Sequence, residues 1–235
     1  MPRAEPLLRA AARAWPLVLL AVALVAHPAL AHDVSEADRA AVQGIDGPAF
    51  IPFLYLGAKH MVTGYDHVAF LIGVVFYLYR LRDVVIYVSL FTLGHSTTLL
   101  GGVLLGTGAN PYVIDAIIGV SVIYKAAENL GGFSKIGLAI NTKLAVLVFG
   151  LFHGLGLATK LQDLALSDNG LLVNLIGFNV GVEVGQVIVL TVVVFALNLW
   201  RPRPSFARGS RLANWGLVIV GIALTGYQLA GLAAS

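Results

Sequence analysis

The amino-acid sequence predicts an all-α membrane protein, a polytopic bundle of about six transmembrane helices that follows a cleaved signal peptide. The first observation behind this prediction is composition, since 58% of the 235 residues are hydrophobic and only 11% are charged. Soluble domains carry about 25% charged residues, so a soluble fold could not cover this much apolar surface. The second observation is a series of long apolar stretches, and the third is the distribution of basic residues between them.

Residues 1–31 have the pattern of an export signal. Arginines within the first 13 residues precede an apolar run at 15–26, and the small residues Ala29 and Ala31 offer a cleavage site. Cleavage there would make His32 the first residue of the mature chain; the alternative is that the run stays as an uncleaved anchor. Residues 32–48 are polar and mildly acidic, which predicts a short exposed segment before a transmembrane domain at 49–235.

Six apolar stretches follow, and their lengths suit helices that cross about 30 Å of hydrocarbon. They are Phe50–Tyr79, Val84–Leu105, Pro111–Leu130, Leu144–Thr159, Leu171–Trp200 and Trp215–Ala233. The first stretch is longer than one span needs. Because Gly57, Gly64 and a polar segment at 59–65 lie within it, we expect a short leading helix, a break, and a true span from about Gly64.

Basic residues predict the orientation, because Lys and Arg accumulate in cytoplasmic loops. With the mature N-terminus outside, the outer segments carry only Arg39, Lys59 and Lys160. The inner segments carry the larger set: Arg80, Arg82, Lys125, Lys135, Lys143, Arg201, Arg203, Arg208 and Arg211. This asymmetry predicts a multi-pass protein of the bacterial inner membrane with both ends on the periplasmic side. The pI near 9.3 therefore reflects topology, and we expect a lipid bilayer and no nucleic acid as partner.

Ionisable residues inside the apolar stretches are the main functional signal, because charges in hydrocarbon cost several kcal/mol and usually mark a function. They come from five stretches: Asp66 and His67, His95, Asp115, His153, and Glu183. Measured from the inner ends at 1.5 Å per residue, the histidines lie roughly 15–18 Å deep and the carboxylates about 20–25 Å. We therefore expect these groups to converge on one layer in the middle and outer half of the membrane.

Helical spacing assigns faces to the fifth stretch. Asn179, Glu183 and Gln186 share one face by their i, i+4, i+7 spacing. The opposite face is a strip of three glycines, at positions 177, 181 and 185. Such small-residue strips pack closely against another helix, which leaves the polar face for the bundle centre. Glycine-lined faces of this kind would also suit a homo-oligomer contact.

Three imidazoles with nearby carboxylates, in a chain that has no cysteine, suit a divalent transition metal ion: Ni, Co, Zn, Fe(II) or Cu(II). His67, His95 and His153 are the predicted core ligands, and Asp66 and Glu183 are further ligands or acceptors that orient the imidazoles. The secondary candidates are His60, Asp115, Asn179, Glu128 and Ser96. A purely structural cluster and a proton relay stay open as alternatives, because His and carboxylate chains also carry protons.

Four motifs occur in a fixed order. They are His60-Met-Val-Thr-Gly-Tyr-Asp66-His67, with the spacing H-x5-D-H, then FTLGHSTTL at 91–99, SVIYKAAEN at 121–129 and FGLFHGLG at 149–156. Together, over about residues 50–200, they resemble the HupE/UreJ family of hydrogenase and urease accessory membrane proteins, especially its second, less characterised branch.

The resemblance implies a nickel permease-like protein of about six helices. It also implies that His60, Asp66 and His67 form the metal-handling motif and that His153 belongs to the second histidine motif. Two departures are visible: Met61 stands where nickel-handling members usually have proline, and Leu157 stands where they tend to carry a second histidine.

Transport of nickel or cobalt is the function that these features favour, since ionisable groups at mid-depth on glycine-rich helices fit a site reached alternately from each side. His60, near the outer mouth, would be a first capture site. The alternative is an intramembrane zinc-dependent hydrolase, with Asp66 or Glu183 as general base and Ser96 stabilising an oxyanion. A further alternative is a proton-linked or metal-assembly accessory protein, in which His32 could chelate copper.

Overall fold

The computed structural model describes residues 36–164 and 166–235, so the predictions about the signal peptide and about His32 concern residues outside the described part. Every regular element in these two ranges is a helix, as the predicted all-α class requires. In chain order the helices are α1 Glu36–Gln43, α2 Phe50–Thr63, α3 Tyr65–Val75, α4 Leu81–Leu105, α5 Pro111–Asn129, α6 Gly132–Lys135, α7 Thr142–Gln162, α8 Leu171–Trp200 and α9 Phe206–Ala234.

The first apolar stretch breaks at Gly64, as its sequence predicts. Helix α2 ends at Thr63, and the Gly64 amide donates to the His60 carbonyl at 2.7 Å before α3 begins at Tyr65. The preceding segment, which we expected to be exposed, contains α1. This helix is tied to α2 by an ion pair of 2.7 Å between Asp38 and Lys59.

Glycines allow three pairs of helices to pack backbone against backbone. In the α4–α7 pair, a Cβ added to Gly154 would meet the carbonyl of His95. In the α5–α9 pair, a Cβ on Gly119 would lie 2.8 Å from the Thr225 amide nitrogen. The third pair joins α2 and α8.

The glycine strip of α8 packs on α2, which confirms its predicted role in helix packing. The contacts repeat every four residues on both helices, with Gly177 against Phe50, Gly181 against Leu54 and Gly185 against Ala58. The two helices therefore run parallel. Because this strip is used within the chain, an oligomer contact would need other surfaces.

Both ends of the described chain lie on the same side of the bundle. Pro48, before α2, lies beside Gly170, before α8. The Ala109 amide, before α5, donates to the Thr159 hydroxyl near the end of α7 at 3.2 Å. The ring of Tyr112, at the start of α5, packs against the last turns of α9.

Among the described residues, four helices are long and apolar enough to cross a membrane by length and composition: α4, α7, α8 and α9. The stretch at α5 forms a helix as expected, but it carries Asp115, Lys125 and Glu128 and is not among the four. Helix α9 begins at Phe206 and not at Trp215, because Ser210 and Asn214 are buried and continue the packed face beyond the apolar run.

Arg201 joins the end of α8 to the end of α3. Its Nη2 donates to the carbonyls of Val75 and Phe76 at 2.9 and 3.0 Å, and its guanidinium lies 4.5 Å from the centre of the Tyr79 ring. Burial lowers the pKa of Arg201 from its ordinary value. The charged side chain thus adds hydrogen bonds at the end of α3, where the Val75 carbonyl also accepts from the Leu78 amide at 3.1 Å.

Candidate functional site

Three histidines from three helices meet in the interior of the bundle. His67 of α3, His95 of α4 and His153 of α7 are 4%, 1% and 0% exposed. The ring centroids of His67 and His153 are 4.7 Å apart, and those of His67 and His95 are 5.8 Å apart. His60 of α2 joins them, with its centroid 5.3 Å from that of His67. We call these four side chains the histidine cluster.

Local features of the sequence place these rings. The break at Gly64 starts a new helix, so that His67 lies in its first turn instead of continuing the line of α2. The absent side chain of Gly154 lets α7 approach α4 at the His95 carbonyl, which brings His95 and His153 to the same level.

Phenylalanines cover the side of the cluster that faces the starts of α4 and α7. The ring centroid of His153 lies 5.1 Å from Phe91 and 5.4 Å from Phe70, and Phe70 in turn lies 5.8 Å from Phe149. On the side of these rings away from the histidines, Phe149 contacts Tyr124, 5.2 Å between centroids. The histidines therefore face an aromatic layer toward the starts of α4 and α7.

Hydrogen bonds assign the protons on two of the rings. Nδ1 of His67 lies 3.0 Å from Oδ1 of Asp66, and Nδ1 of His153 lies 2.7 Å from the Phe149 carbonyl oxygen. Because both oxygens accept, each Nδ1 carries the hydrogen when the ring is neutral, and each Nε2 then carries a lone pair. An imidazole held by a carboxylate at one nitrogen has the arrangement of a metal ligand.

Two of the histidines leave buried nitrogens without hydrogen bonds. Within residues 36–164 and 166–235, Nε2 of His67 and both ring nitrogens of His95 have no hydrogen-bond partner. A buried polar atom left in this way costs about 1–3 kcal/mol, and native proteins keep few of them. These three nitrogens would therefore be stabilised by a ligand that accepts their lone pairs or donates protons to them.

The distances between the ring centroids are close to those expected for imidazoles that bind the same metal ion. Two imidazoles bound to one ion through nitrogens at about 2.1 Å, at a tetrahedral angle, place their centroids about 5 Å apart. The centroid distances from His67 to His153 and to His95 lie on either side of this value. As the side chains stand, however, no group of three or more His, Asp or Glu residues in the described chain is arranged to hold an ion. Binding would require the rings to rotate.

A small cavity of about 10 Å³, with room for about one water molecule, adjoins the cluster. Its walls include three of the histidines and both nearby carboxylates: His60, His67, His153, Asp66 and Asp115. Lys160 also lines it. Of the five helices predicted to contribute, α3, α5 and α7 line the cavity, and α4 places His95 beside His67.

Lys160 is a site residue that the sequence reading placed elsewhere. We counted it as an outer-segment charge, but its Nζ lies 3.1 and 3.0 Å from the two carboxylate oxygens of Asp115. Gln228 of α9 donates to the same carboxylate at 3.4 Å. The i, i+7 spacing of His153 and Lys160 on α7 was the available signal, since it puts both on one face.

Glu183 is not brought to the cluster, so its assignment as a ligand or orienting group is a correction. Its side chain is exposed on the surface of α8, while Asn179 and Gln186 are buried. Because the glycine strip fixes how α8 is rotated against α2, Glu183 falls at the edge of the buried face and turns outward. Asn179 donates to its own helix, at the Leu175 carbonyl, at 3.0 Å. Ser96, half-buried on α4, is not among the residues that line the cavity.

Glu128 belongs to a separate polar group at the other end of α5. Its carboxylate accepts from Lys125 at 2.7 Å and from the hydroxyl of Thr142. Asp115 and Glu128 are 13 residues apart on one helix, which corresponds to roughly 20 Å. Glu128 therefore does not act in the histidine cluster.

Comparison with protein families matches residues 36–232 to the family model described as HupE / UreJ protein. No curated protein matches the chain, and no solved structure matches it. The match covers the four motifs and all of the described helices except the last two residues of α9.

Proposed function

The chain belongs to the HupE/UreJ family, and from this premise we propose that it is a membrane permease-like protein that binds a divalent transition metal ion in the histidine cluster and carries it across the bilayer. The family is associated with accessory membrane proteins for nickel and cobalt, and we propose one of these ions as the substrate. In this proposal the chain spans the inner membrane six times, with both mature ends on the periplasmic side.

The observation that carries the proposal is the pair His67 and His95. Both rings are buried, they lie 5.8 Å apart between centroids, and together they present three nitrogens without hydrogen bonds in the described chain. Imidazole is a ligand that suits nickel, cobalt and zinc. The Asp66 carboxylate on His67 Nδ1 supports this role, because such a partner fixes the ring and raises the basicity of the other nitrogen.

The surroundings of the cluster fit transport. The cavity opens on one side of the histidines, and the rings of Phe70, Phe91 and Phe149 close the other. A transporter that admits its substrate from each side in turn needs a site with one open and one closed approach. The helix ends at Ala109 and Thr159 place the cavity nearer the side that holds both chain ends.

Two of the residues assigned to the hydrolase alternative, the general base Glu183 and the oxyanion donor Ser96, do not lie in the cavity. Glu183 is exposed away from the cluster and Ser96 does not line the cavity, so neither is in position to act as base or oxyanion donor there. A proton-linked role for the histidines stays a second candidate, because the same unpartnered nitrogens could carry protons.

Uptake by reconstituted protein tests the proposal. Full-length protein in liposomes loaded with a metal-sensitive dye should admit Ni²⁺ or Co²⁺ at a rate that His67→Ala abolishes. Thr97→Ala, an exposed change half a turn from His95 on α4, should leave the rate unchanged. Proton flux without metal flux would instead favour the relay, and metal-dependent turnover of lipid would favour the hydrolase.

A further inference from the structure

Two acidic residues line the cavity, and they are held differently. Asp66 lies against its neighbour His67. Asp115 is held by a lysine, since both of its oxygens lie within 3.1 Å of the ammonium of Lys160. The Lys160 and Asp115 side chains are 18% and 6% exposed, so water screens this ion pair only in part.

The ammonium of Lys160 lies beside the Asp115 carboxylate, which would otherwise attract a substrate cation. Lys160 is seven residues after His153 on α7, which places it on the same face about 10 Å further along the helix. Both side chains border the same cavity, together with His60 and His67. A cation that enters the cavity therefore meets the Asp115 carboxylate already neutralised, and it also meets a positive charge.

We propose that Lys160 is a tethered competitor for the metal ion: it occupies Asp115, weakens binding at the histidine cluster and thereby allows the ion to leave. This inference rests on the proposed function. A transport site must bind well enough to admit its ion and weakly enough to release it. Three imidazoles and two unopposed carboxylates would hold a divalent transition metal tightly, and the ammonium removes one carboxylate from that set.

Equilibrium dialysis of Ni²⁺ against full-length protein in detergent tests this. Lys160→Met removes the ammonium and keeps the length of the side chain, so Ni²⁺ should bind at least about tenfold more tightly than to wild type. Lys160→Arg keeps the charge and should bind nearly as wild type does. Lys143→Met makes the same change at an exposed position at the start of α7, and it should leave binding unchanged.

A double variant separates competition from a structural role. If Lys160→Met exposes a charged Asp115 that binds the ion, then Lys160→Met/Asp115→Asn should lose most of the gained affinity. The single variant should also show slower uptake at saturating Ni²⁺ in liposomes, because release is delayed. Removing both charges leaves no unpaired carboxylate at position 115, so the double variant should fold even if Lys160→Met alone does not, and a change in its Ni²⁺ affinity of more than about tenfold from wild type would overturn the competitor role.

The outcomes separate this inference from the function on which it rests. If wild type binds Ni²⁺ and Lys160→Met binds it equally or more weakly, the competitor role is overturned but the proposed metal site is not. The same holds if the double variant retains the tighter binding. Absence of Ni²⁺ binding in wild type and in every variant would overturn the proposed function and this inference with it.

Discussion

Replacing Gly154 by alanine should separate α7 from α4 and disturb the histidine cluster. The added Cβ would lie against the His95 carbonyl oxygen and Thr98 Oγ1, and only 2.7 Å from the His95 carbonyl carbon. Real Cβ atoms essentially never approach another heavy atom within 3.0 Å, so one helix must move. Because the contact is with backbone, side-chain rotation cannot relieve it.

The magnitude follows from two opposing effects. Alanine in a helix is favoured over glycine by roughly 0.5–1 kcal/mol, while overpacking of a close contact costs about 1–3 kcal/mol. We therefore expect a net loss of roughly 1–2 kcal/mol, which lowers the midpoint of thermal unfolding by several degrees. The matched control is Gly101→Ala on α4, where nothing lies within 4 Å of the added Cβ and only the gain in helix propensity remains.

Thermal unfolding of the purified proteins in one detergent, followed by circular dichroism, measures both variants. Gly154→Ala should unfold at a lower temperature than wild type, and Gly101→Ala at an equal or higher one. A midpoint for Gly154→Ala at or above that of Gly101→Ala would refute the close approach of α4 and α7. That result would also contradict the explanation that the contact at Gly154 brings His95 and His153 to the same level.

Three further predictions concern single side chains. Asp66→Asn should weaken Ni²⁺ binding by about 10–100-fold, since a neutral amide orients and polarises His67 less well than a carboxylate; titration of the purified protein measures this. Arg201→Met should lower stability by roughly 1–3 kcal/mol, because it removes the hydrogen bonds that Arg201 donates to the Val75 and Phe76 carbonyls, whereas Arg203→Met at an exposed position should not. Glu183→Gln should leave Ni²⁺ affinity unchanged, because this side chain is exposed away from the cluster.

Each of these predictions has a contrary result. Unchanged affinity in Asp66→Asn would show that the contact with His67 Nδ1 does not support metal binding. Equal unfolding temperatures for the two arginine variants would show that Arg201 does not hold α3 to α8. A large loss of Ni²⁺ affinity in Glu183→Gln would show that the Glu183 carboxylate does contribute to the metal site.

The features that could be predicted from the sequence are those set by local chemistry. Gly64 within a polar segment predicted the helix break, and the glycines of the fifth stretch predicted a packing face that α8 indeed presents to α2. The level of the histidines could also be predicted, because depth along a helix depends only on residue number. The role of these histidines as ligands stays a prediction.

The rotation of each helix about its own axis, and the direction in which a long side chain extends, could not be predicted in the same way. Glu183 lies next to Asn179 on a helical wheel, and only the packing of α8 on α2 decides that one is exposed and the other buried. Lys160 follows an apolar run, so its position near the helix end suggested solvent. Its long side chain instead extends to Asp115, and the sequence does not specify which carboxylate a flexible lysine reaches.

The central claim is that the histidine cluster binds a transition metal ion. Elemental analysis of full-length protein, purified in detergent and loaded with Ni²⁺, should find close to one metal ion per chain in wild type. A control that changes two exposed threonines, Thr63 at the end of α2 and Thr97 on the helix of His95, should retain the ion as Thr63→Ala/Thr97→Ala. His67→Ala/His95→Ala should lose it. Metal retained by the histidine variant, or absent from wild type after loading with Ni²⁺, Co²⁺, Zn²⁺ and Cu²⁺ in turn, would contradict the claim.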